Sequence, residues 1–137
     1  SDGDYLLIDQ ITYRFRSPER GEVVVFRSPG DDSVYFIKRI IGLPGERVAV
    51  KNGKISIFNE KLGDVNLVEG YLPTGVSTGG NSEYTLKANE YFLLGDNRTF
   101  SFDSRSWGPL PDENIIGLAR LRLWPVTEIT ALAAPQY

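Results

Sequence analysis

The sequence contains no cysteine, no histidine and no methionine. Without cysteine there are no disulfides, thiol nucleophiles or thiolate metal sites, and without histidine there is neither the usual general base nor the commonest zinc ligand. Any catalysis by this chain must therefore proceed without an imidazole or a thiol.

Long apolar runs and an excess of positive charge are also missing. No apolar run approaches the roughly 20 residues of a membrane-spanning helix, and the first residues, Ser-Asp-Gly-Asp, lack the regions of a signal peptide. Lys and Arg number 15 against 18 Asp and Glu, giving a net charge of -3, which argues against an electrostatic grip on nucleic acid. We expect a soluble chain, and its abrupt start leads us to interpret it as a fragment of a longer protein.

What the sequence does contain is a pattern of short apolar stretches that is typical of a β protein. Its 137 residues are the length of a single domain. Clusters of Gly, Pro, Asn and Asp separate short stretches rich in Val, Ile, Leu, Phe and Tyr, which predicts strands at residues 5–8, 22–26, 34–41, 47–50, 54–58, 90–94 and 116–124. Asn52-Gly53 between two of these strands predicts a hairpin with a type I′ turn. We therefore predict one all-β domain over residues 1–137.

Three segments do not follow this strand pattern or carry additional signals. Residues 59–89 show no sustained periodicity and are predicted to form a loop or a small subdomain. Residues 111–114 place two acids behind a proline, which predicts one helical turn. In the last predicted strand Arg120 and Arg122 alternate with apolar residues, and we interpret them as a solvated face.

Two segments are unusually polar for their positions. Lys38 and Arg39 interrupt an apolar strand, and strand alternation places their side chains on opposite faces. Residues 95–108 are rich in polar side chains directly after the apolar strand at 90–94. The residue types alone also fit a purely structural interpretation of the two segments. In it, the Lys-Arg pair on an edge strand discourages aggregation, and the acids of an Asx-rich turn pair with arginines.

The two polar segments together resemble the conserved boxes of type I signal peptidases. Residues 38–46 (KRIIGLPGE) resemble the lysine-containing box, and residues 95–108 (GDNRTFSFDSRSWG) resemble the C-terminal box. Residues 3–8 and 18–26 match the flanking strands in order, so that the resemblance runs from residue 3 to about 124 and leaves only residues 59–89 uncovered. It implies antiparallel sheets in a partly open barrel, and a serine endopeptidase that removes signal peptides from exported preproteins.

The resemblance also implies a serine-lysine dyad, which needs neither histidine nor cysteine. A lysine acts as a general base only if desolvation brings its pKa down toward roughly 7 to 8, and an apolar strand favours this. In the family pattern Lys38 is the base and Ser101 orients its amine, while Gly95 gives the backbone room to approach the lysine. The remaining family roles are two structural ion pairs, Arg39 with Asp96 and Asp103 with Arg105, and an apolar pocket for small residues formed by Leu6, Val25, Phe36 and Ile37. No cofactor and no metal are implied.

The serine of the dyad has no counterpart in this chain. The family nucleophile lies in a Ser-Met-x-Pro-Thr-Leu box, which by this match falls about six residues before Ser1. We therefore expect the chain as given to be inactive. We also expect that a membrane anchor is missing from it, and that the domain lies at the extracytoplasmic or lumenal face of a bacterial plasma or thylakoid-type membrane. Ser101 is an alternative nucleophile, although that position assists the lysine in the family.

Two other interpretations remain from the sequence. Self-cleaving repressor domains also use a Ser-Lys pair, but they lack the box at residues 95–108. A non-catalytic peptide-binding or scaffold paralogue would keep the fold without the serine.

The C-terminal segment, residues 127–137, raises a separate hypothesis. Its Ala131 and Ala133 have the small-x-small spacing of a cleavage site. This tail could therefore dock as an added strand on a neighbouring molecule, near Phe36 and Ile37.

Overall fold

The structure, a computed structural model, describes residues 4–67, 69, 70, 72, 77–99 and 101–123, with the side chains of residues 4, 5 and 121–123 excepted. Within these residues the regular structure is almost entirely antiparallel β-strand, as predicted. The part of the chain described holds no helix long and apolar enough to cross a membrane. The hypothesis on docking of residues 127–137 falls outside the described residues.

In the described residues, ten strands form two sheets, neither of them closed. The strands are β1 (Asp4–Asp9), β2 (Val23–Ser28), β3 (Asp31–Gly42), β4 (Arg47–Lys51), β5 (Lys54–Asn59), β6 (Gly63–Asn66), β7 (Ser82–Thr85), β8 (Glu90–Leu94), β9 (Leu110–Pro111) and β10 (Ile115–Leu123). The first sheet has the order β1-β10-β2-β3-β8-β9 and the second the order β6-β5-β4-β7. A one-turn helix α1 (Ser104–Trp107) and 3-10 turns at Thr12–Arg14 and Asp112–Asn114 complete the fold.

The predicted hairpin is present between β4 and β5. Asn52 has φ 53° and Gly53 has φ 76°, the positive values that a type I′ turn needs at both central positions. Lys51 pairs with Lys54 across this turn. The Asn-Gly signal therefore sets the register of the second sheet.

The segment 59–89 is not simply a loop, because β6 and β7 lie within it. They form the two edges of the second sheet and pair with β5 and β4. Both strands are four residues long and partly or fully exposed, so that they carry no apolar alternation. This is why the sequence pattern missed them.

Two apolar clusters lie on opposite faces of the long strand β3 and its neighbour β8. Ile41 belongs to the cluster between the two sheets, and Ile40 belongs to the cluster under α1 and β9. Leu93 and Leu94 divide between the clusters in the same way. Because both faces are covered here, neighbouring residues in the chain are buried together, and this part of β3 is firmly fixed.

Arg120 corrects one prediction. Its guanidinium Nε donates to Asp9 Oδ2 at 2.9 Å, and its side chain is only 27% exposed. The Asp9 carboxylate also accepts hydrogen bonds from Thr12, and together these contacts lower its pKa well below the usual range. Arg120 therefore ties β10 to the end of β1 and is not part of a solvated face.

Candidate active site

Lys38 and Arg39 lie in β3 at the point where the pairing with β8 begins, on the side opposite β2. Arg39 pairs with Val23 of β2 on one side and with Leu94 of β8 on the other. Lys38 pairs with Val24 of β2, and the recorded ladder to β8 begins only at Arg39. The two side chains thus project to opposite faces, as strand alternation predicts, and among the described residues none pairs with Lys38 on the β8 side of β3.

The Lys38 amine contacts Ser101, the serine that the family resemblance singles out. Lys38 Nζ donates to Ser101 Oγ at 2.9 Å, although 63 residues separate them in the chain. Both residues are half-buried, and the ring centroid of Phe36 lies 5.8 Å from Nζ. The structure therefore brings together a primary amine and a hydroxyl in a partly apolar setting.

Gly95 makes this contact sterically feasible. A Cβ at this position would lie 2.0 Å from Ser101 Oγ, 2.7 Å from Ser101 Cβ and 3.2 Å from Lys38 Nζ. Real Cβ atoms essentially never approach below 3.0 Å. A glycine is therefore needed here because of close approach.

We expect Gly95→Ala to separate Lys38 from Ser101. The added methyl group must displace the Ser101 side chain, because its position overlaps Ser101 Oγ. In the role that the family resemblance implies for Lys38, a misplacement of about 1 Å costs about 100-fold in rate. The change in a chain that cleaves peptides should therefore lower kcat about 100-fold. The exposed Gly30, with open space at its Cβ position, provides the matched control Gly30→Ala; equal kcat values for the two variants would contradict the expectation.

Arg39 and Asp96 form a bidentate ion pair. Arg39 Nε and Nη2 donate to the two carboxylate oxygens of Asp96 at 3.0 and 2.9 Å, and Nη1 donates to the Gly21 carbonyl at 2.8 Å. The Arg39 side chain is 12% exposed and that of Asp96 is 45% exposed. The pair links β3 to the polar segment after β8 from the face opposite Lys38.

Asp103 and Arg105 form the second expected pair, and the carboxylate of Asp103 is fully buried. Arg105 donates through Nε at 2.9 Å and through Nη2 at 2.8 Å, and the side-chain exposures are 0% for Asp103 and 13% for Arg105. Asp103 also caps α1 by accepting from the Arg105 backbone N–H, and it accepts from the Gly95 N–H at 3.1 Å. Burial favours the neutral acid, but these hydrogen bonds outweigh it and hold the pKa of Asp103 below its usual value.

The helix α1 and a further ion pair were missed by the sequence reasoning. Asp103 before α1 and Gly108 after it, with φ 85°, are ordinary helix-capping signals that the sequence does contain. Arg98, whose side chain is 0% exposed, forms a bidentate pair with Glu69 and donates from Nη1 to Thr78 Oγ1 at 2.7 Å. Nothing in the sequence pattern points from Arg98 to a carboxylate 29 residues earlier.

A third buried pair lies between Arg20 and Glu46. Both Arg20 Nη atoms donate to the Glu46 carboxylate at 2.7 Å, and the side chain of Glu46 is 2% exposed. Burial opposes ionisation, but hydrogen bonds from Arg20, Asn59 and the Leu43 backbone N–H keep the pKa of Glu46 below its usual value. This pair contacts the end of β3 at Ile41 and the following turn at Leu43, and the described contacts link it to none of the groups around Lys38.

The four predicted pocket residues do not share one face. Val25 pairs with Ile37, and the ladder from β2 through β10 to β1 places Leu6 on that same face. Leu6 and Ile37 are 48% and 46% exposed, and Val25 lies buried beneath. Phe36 faces the Lys38 side instead, where its ring lies 6.1 Å from Phe26 and 6.2 Å from Phe102.

A polar cavity of about 430 Å³ adjoins the Lys38–Ser101 contact. Most of its lining residues carry a hydroxyl or guanidinium group. The lining consists of Ser77, Gly79, Arg98, Thr99, Ser101, Arg105 and Ser106. The described residues include no group of three or more carboxylates placed to hold a metal ion. The hydroxyl and guanidinium groups of the cavity can form hydrogen bonds with a bound molecule.

Comparisons with known proteins identify a family for this chain. A family model described as signal peptidase, peptidase S26, matches residues 1–124. The chain is 42% identical over 137 residues to the probable signal peptidase I-2 of Synechocystis sp., covering 94% of this chain and 59% of that protein. It is 33% identical over 138 residues to thylakoidal processing peptidase 1, chloroplastic, of Arabidopsis thaliana, covering 93% of this chain and 39% of that protein.

A solved structure shares the fold. The crystal structure of a signal peptidase I from Enterococcus faecalis V583 superimposes with a TM-score of 0.62 at 28% sequence identity, covering 75% of this chain and 97% of that chain. Signal peptidase I of Leptolyngbya laminosa is 37% identical over 140 residues, covering 96% of this chain and 66% of that protein. The chain therefore spans between 39% and 66% of the length of these three curated relatives.

Proposed function

Because the chain belongs to the signal peptidase family, peptidase S26, we propose that it is the catalytic domain of a membrane-associated serine endopeptidase. The enzyme removes signal peptides from exported preproteins after small residues, at the extracytoplasmic or lumenal face of a bacterial plasma or thylakoid-type membrane. The observation that carries this proposal is the 2.9 Å contact between Lys38 Nζ and Ser101 Oγ beside an open strand edge.

Lys38 is the general base of this proposed reaction. Its neutral amine removes the proton from a serine hydroxyl as the serine oxygen attacks the carbonyl carbon of the scissile bond, and the resulting ammonium then protonates the departing amine. Water hydrolyses the acyl-enzyme with the same amine as base. Ser101 holds Nζ in one orientation, a role supported by the packing of its Oγ against the Gly95 backbone.

The nucleophilic serine comes from outside residues 1–137 in this proposal. The chain contains no Ser-Met-x-Pro-Thr-Leu box, and the family places that box directly before the strand that corresponds to β1. A longer chain that carries the box before Ser1 is therefore the active form, and residues 1–137 alone are inactive. The ion pairs Arg39–Asp96 and Asp103–Arg105 serve as scaffold around Lys38 and Gly95.

The preprotein binds as an extended strand along the exposed apolar face. β1 is an edge strand, and the described pairing of β3 before residue 39 is to β2 alone, so both offer backbone groups for strand addition. Leu6 and Ile37 are exposed on this face and Val25 is buried beneath them, so the face is apolar. In this proposal the face contacts the residue before the cleaved bond, and the preference for alanine there is the one that the family resemblance implies. Phe36 flanks the Lys38 amine on the other face.

Substrate selectivity tests this proposal. With the serine box restored, replacing alanine by leucine immediately before the cleaved bond should lower kcat/KM about 100-fold. The same replacement one residue earlier, at the middle position of Ala-x-Ala, is the matched control and should have little effect. Peptides that bind to the extended chain but are never cleaved would contradict the proposal and favour a non-catalytic peptide-binding paralogue.

A further inference from the structure

The backbone of Gly95 is held at both of its polar atoms by buried ion pairs. Its N–H donates to Asp103 Oδ2 at 3.1 Å, and Asp103 is paired with Arg105. Its carbonyl oxygen accepts from Arg98 Nε at 2.8 Å, and Arg98 is paired with Glu69. Since Gly95 packs directly against Ser101 and Lys38, its position sets the space available to these two side chains.

Glu69 orients the guanidinium that holds this carbonyl. Its two carboxylate oxygens accept from Nη1 and Nη2 of Arg98, which leaves Nε directed at the Gly95 oxygen. The side chains are 0% exposed for Arg98 and 12% exposed for Glu69. A bidentate pair between planar groups fixes orientation as well as distance, and so it aligns Nε.

Glu69 belongs to the part of the chain outside the family boxes. It follows β6 in the segment 59–89, and Thr78, another partner of Arg98, lies in the same segment. Glu69 and Thr78, which lie between β6 and β7, are therefore connected to the Lys38 site through this buried arginine.

We propose that Glu69 is a positioning residue for the Lys38–Ser101 pair, acting through Arg98 and the carbonyl of Gly95. The inference rests on the proposed function, and it assigns to the segment 59–89 a part in the reaction. Without the carboxylate, Arg98 loses the bidentate pair that aligns its Nε, so the hydrogen bond from Nε to the Gly95 carbonyl is weakened. The Gly95 backbone then shifts, and with it the relative positions of the Lys38 amine and the Ser101 hydroxyl.

The first test compares Glu69→Gln with a matched control, Glu46→Gln, in a chain that carries the serine box. Each change neutralises one carboxylate in a buried bidentate pair with arginine, but only Glu69 is linked to Gly95. We expect Glu69→Gln to lower kcat about 10- to 100-fold with KM changed less than about 2-fold. We expect Glu46→Gln to keep the parent kcat when both are assayed well below their unfolding transitions. Equal kcat losses in both variants would show a merely structural role and overturn the proposal.

A second variant removes both charges, so that no buried ion is left unpaired. Glu69→Leu combined with Arg98→Met should fold, because replacing a buried ion pair by apolar residues is often neutral for stability. It still deprives the Gly95 carbonyl of its donor, and we expect the same fall in kcat. A folded double variant with the parent kcat would overturn the proposal.

An activity-independent readout separates this inference from the proposed function. In residues 1–137, the NMR amide resonances of Gly95 and Ser101 should shift in Glu69→Gln and stay in place in Glu46→Gln. Unchanged resonances in both variants would overturn the positioning role whatever the enzyme assay shows. Cleavage that survives Lys38→Ala, together with shifted Gly95 resonances, would refute the proposed function and leave the structural link intact.

Discussion

Replacing Lys38 by alanine is expected to lower kcat/KM about four orders of magnitude in a chain that carries the serine box. General base catalysis contributes up to about 10⁴-fold, and no imidazole exists in the chain to take over, since it contains no histidine. Lys38 is half-buried, and its Nζ is bonded to Ser101 Oγ at 2.9 Å. Peptide cleavage followed by chromatography measures the loss.

Two variants make this result specific. Lys54→Ala removes an exposed lysine at the β4–β5 turn and should keep the parent rate. Ser101→Ala should leave a reduced but measurable rate, because the lysine remains and only its orientation is lost; a complete loss would favour Ser101 as the nucleophile instead. Cleavage by Lys38→Ala at more than about a tenth of the parent rate would contradict the role of Lys38 as base.

Arg105→Ala is expected to lower the free energy of unfolding by about 3 to 5 kcal/mol, because it leaves the Asp103 carboxylate buried without its partner. Asp103 is 0% exposed and keeps its charge through Arg105 and two backbone N–H groups. The substitution also removes the side chain that holds Asp103 in place. It should therefore weaken the hydrogen bond from the Gly95 N–H to Asp103 and the cap that Asp103 provides for α1. Urea midpoints of residues 1–137 measure the difference.

The exposed pair between Arg47 and Glu83 supplies the control. These side chains are 48% and 44% exposed and 3.6 Å apart, so Glu83→Ala should cost under about 1 kcal/mol. If Arg105→Ala cost no more than Glu83→Ala, the Asp103–Arg105 pair would be demoted to a surface contact.

Local signals predicted much of the fold and the placement of the main site residues. The Asn52-Gly53 dipeptide fixes its own hairpin, because positive φ at two successive residues leaves few alternatives. Adjacent Lys38 and Arg39 must face opposite ways in any strand, and the family boxes named Ser101 and Asp96 as their partners. The hairpin and the opposite faces follow from backbone geometry, whereas the two partners are what the family resemblance implies.

What could not be predicted depends on contacts between distant segments. Glu69 lies 29 residues before Arg98, in a stretch without periodicity, and nothing local in the sequence distinguishes it from the other acidic residues. The strands β6 and β7 are edge strands held by pairing with β5 and β4, not by an apolar pattern. Phe36 was grouped with Leu6, Val25 and Ile37, although strand alternation places it opposite Ile37.

Cleavage of an Ala-x-Ala peptide by two chains tests the central claim most directly, namely that this domain supplies the lysine to a serine from an upstream segment. One chain is residues 1–137, and the other carries a Ser-Met-x-Pro-Thr-Leu box before Ser1; mass spectrometry identifies the products. The account predicts cleavage after the second alanine by the longer chain only, and loss of that cleavage when the box serine is replaced by alanine. Cleavage at the same site and rate by residues 1–137 would contradict it.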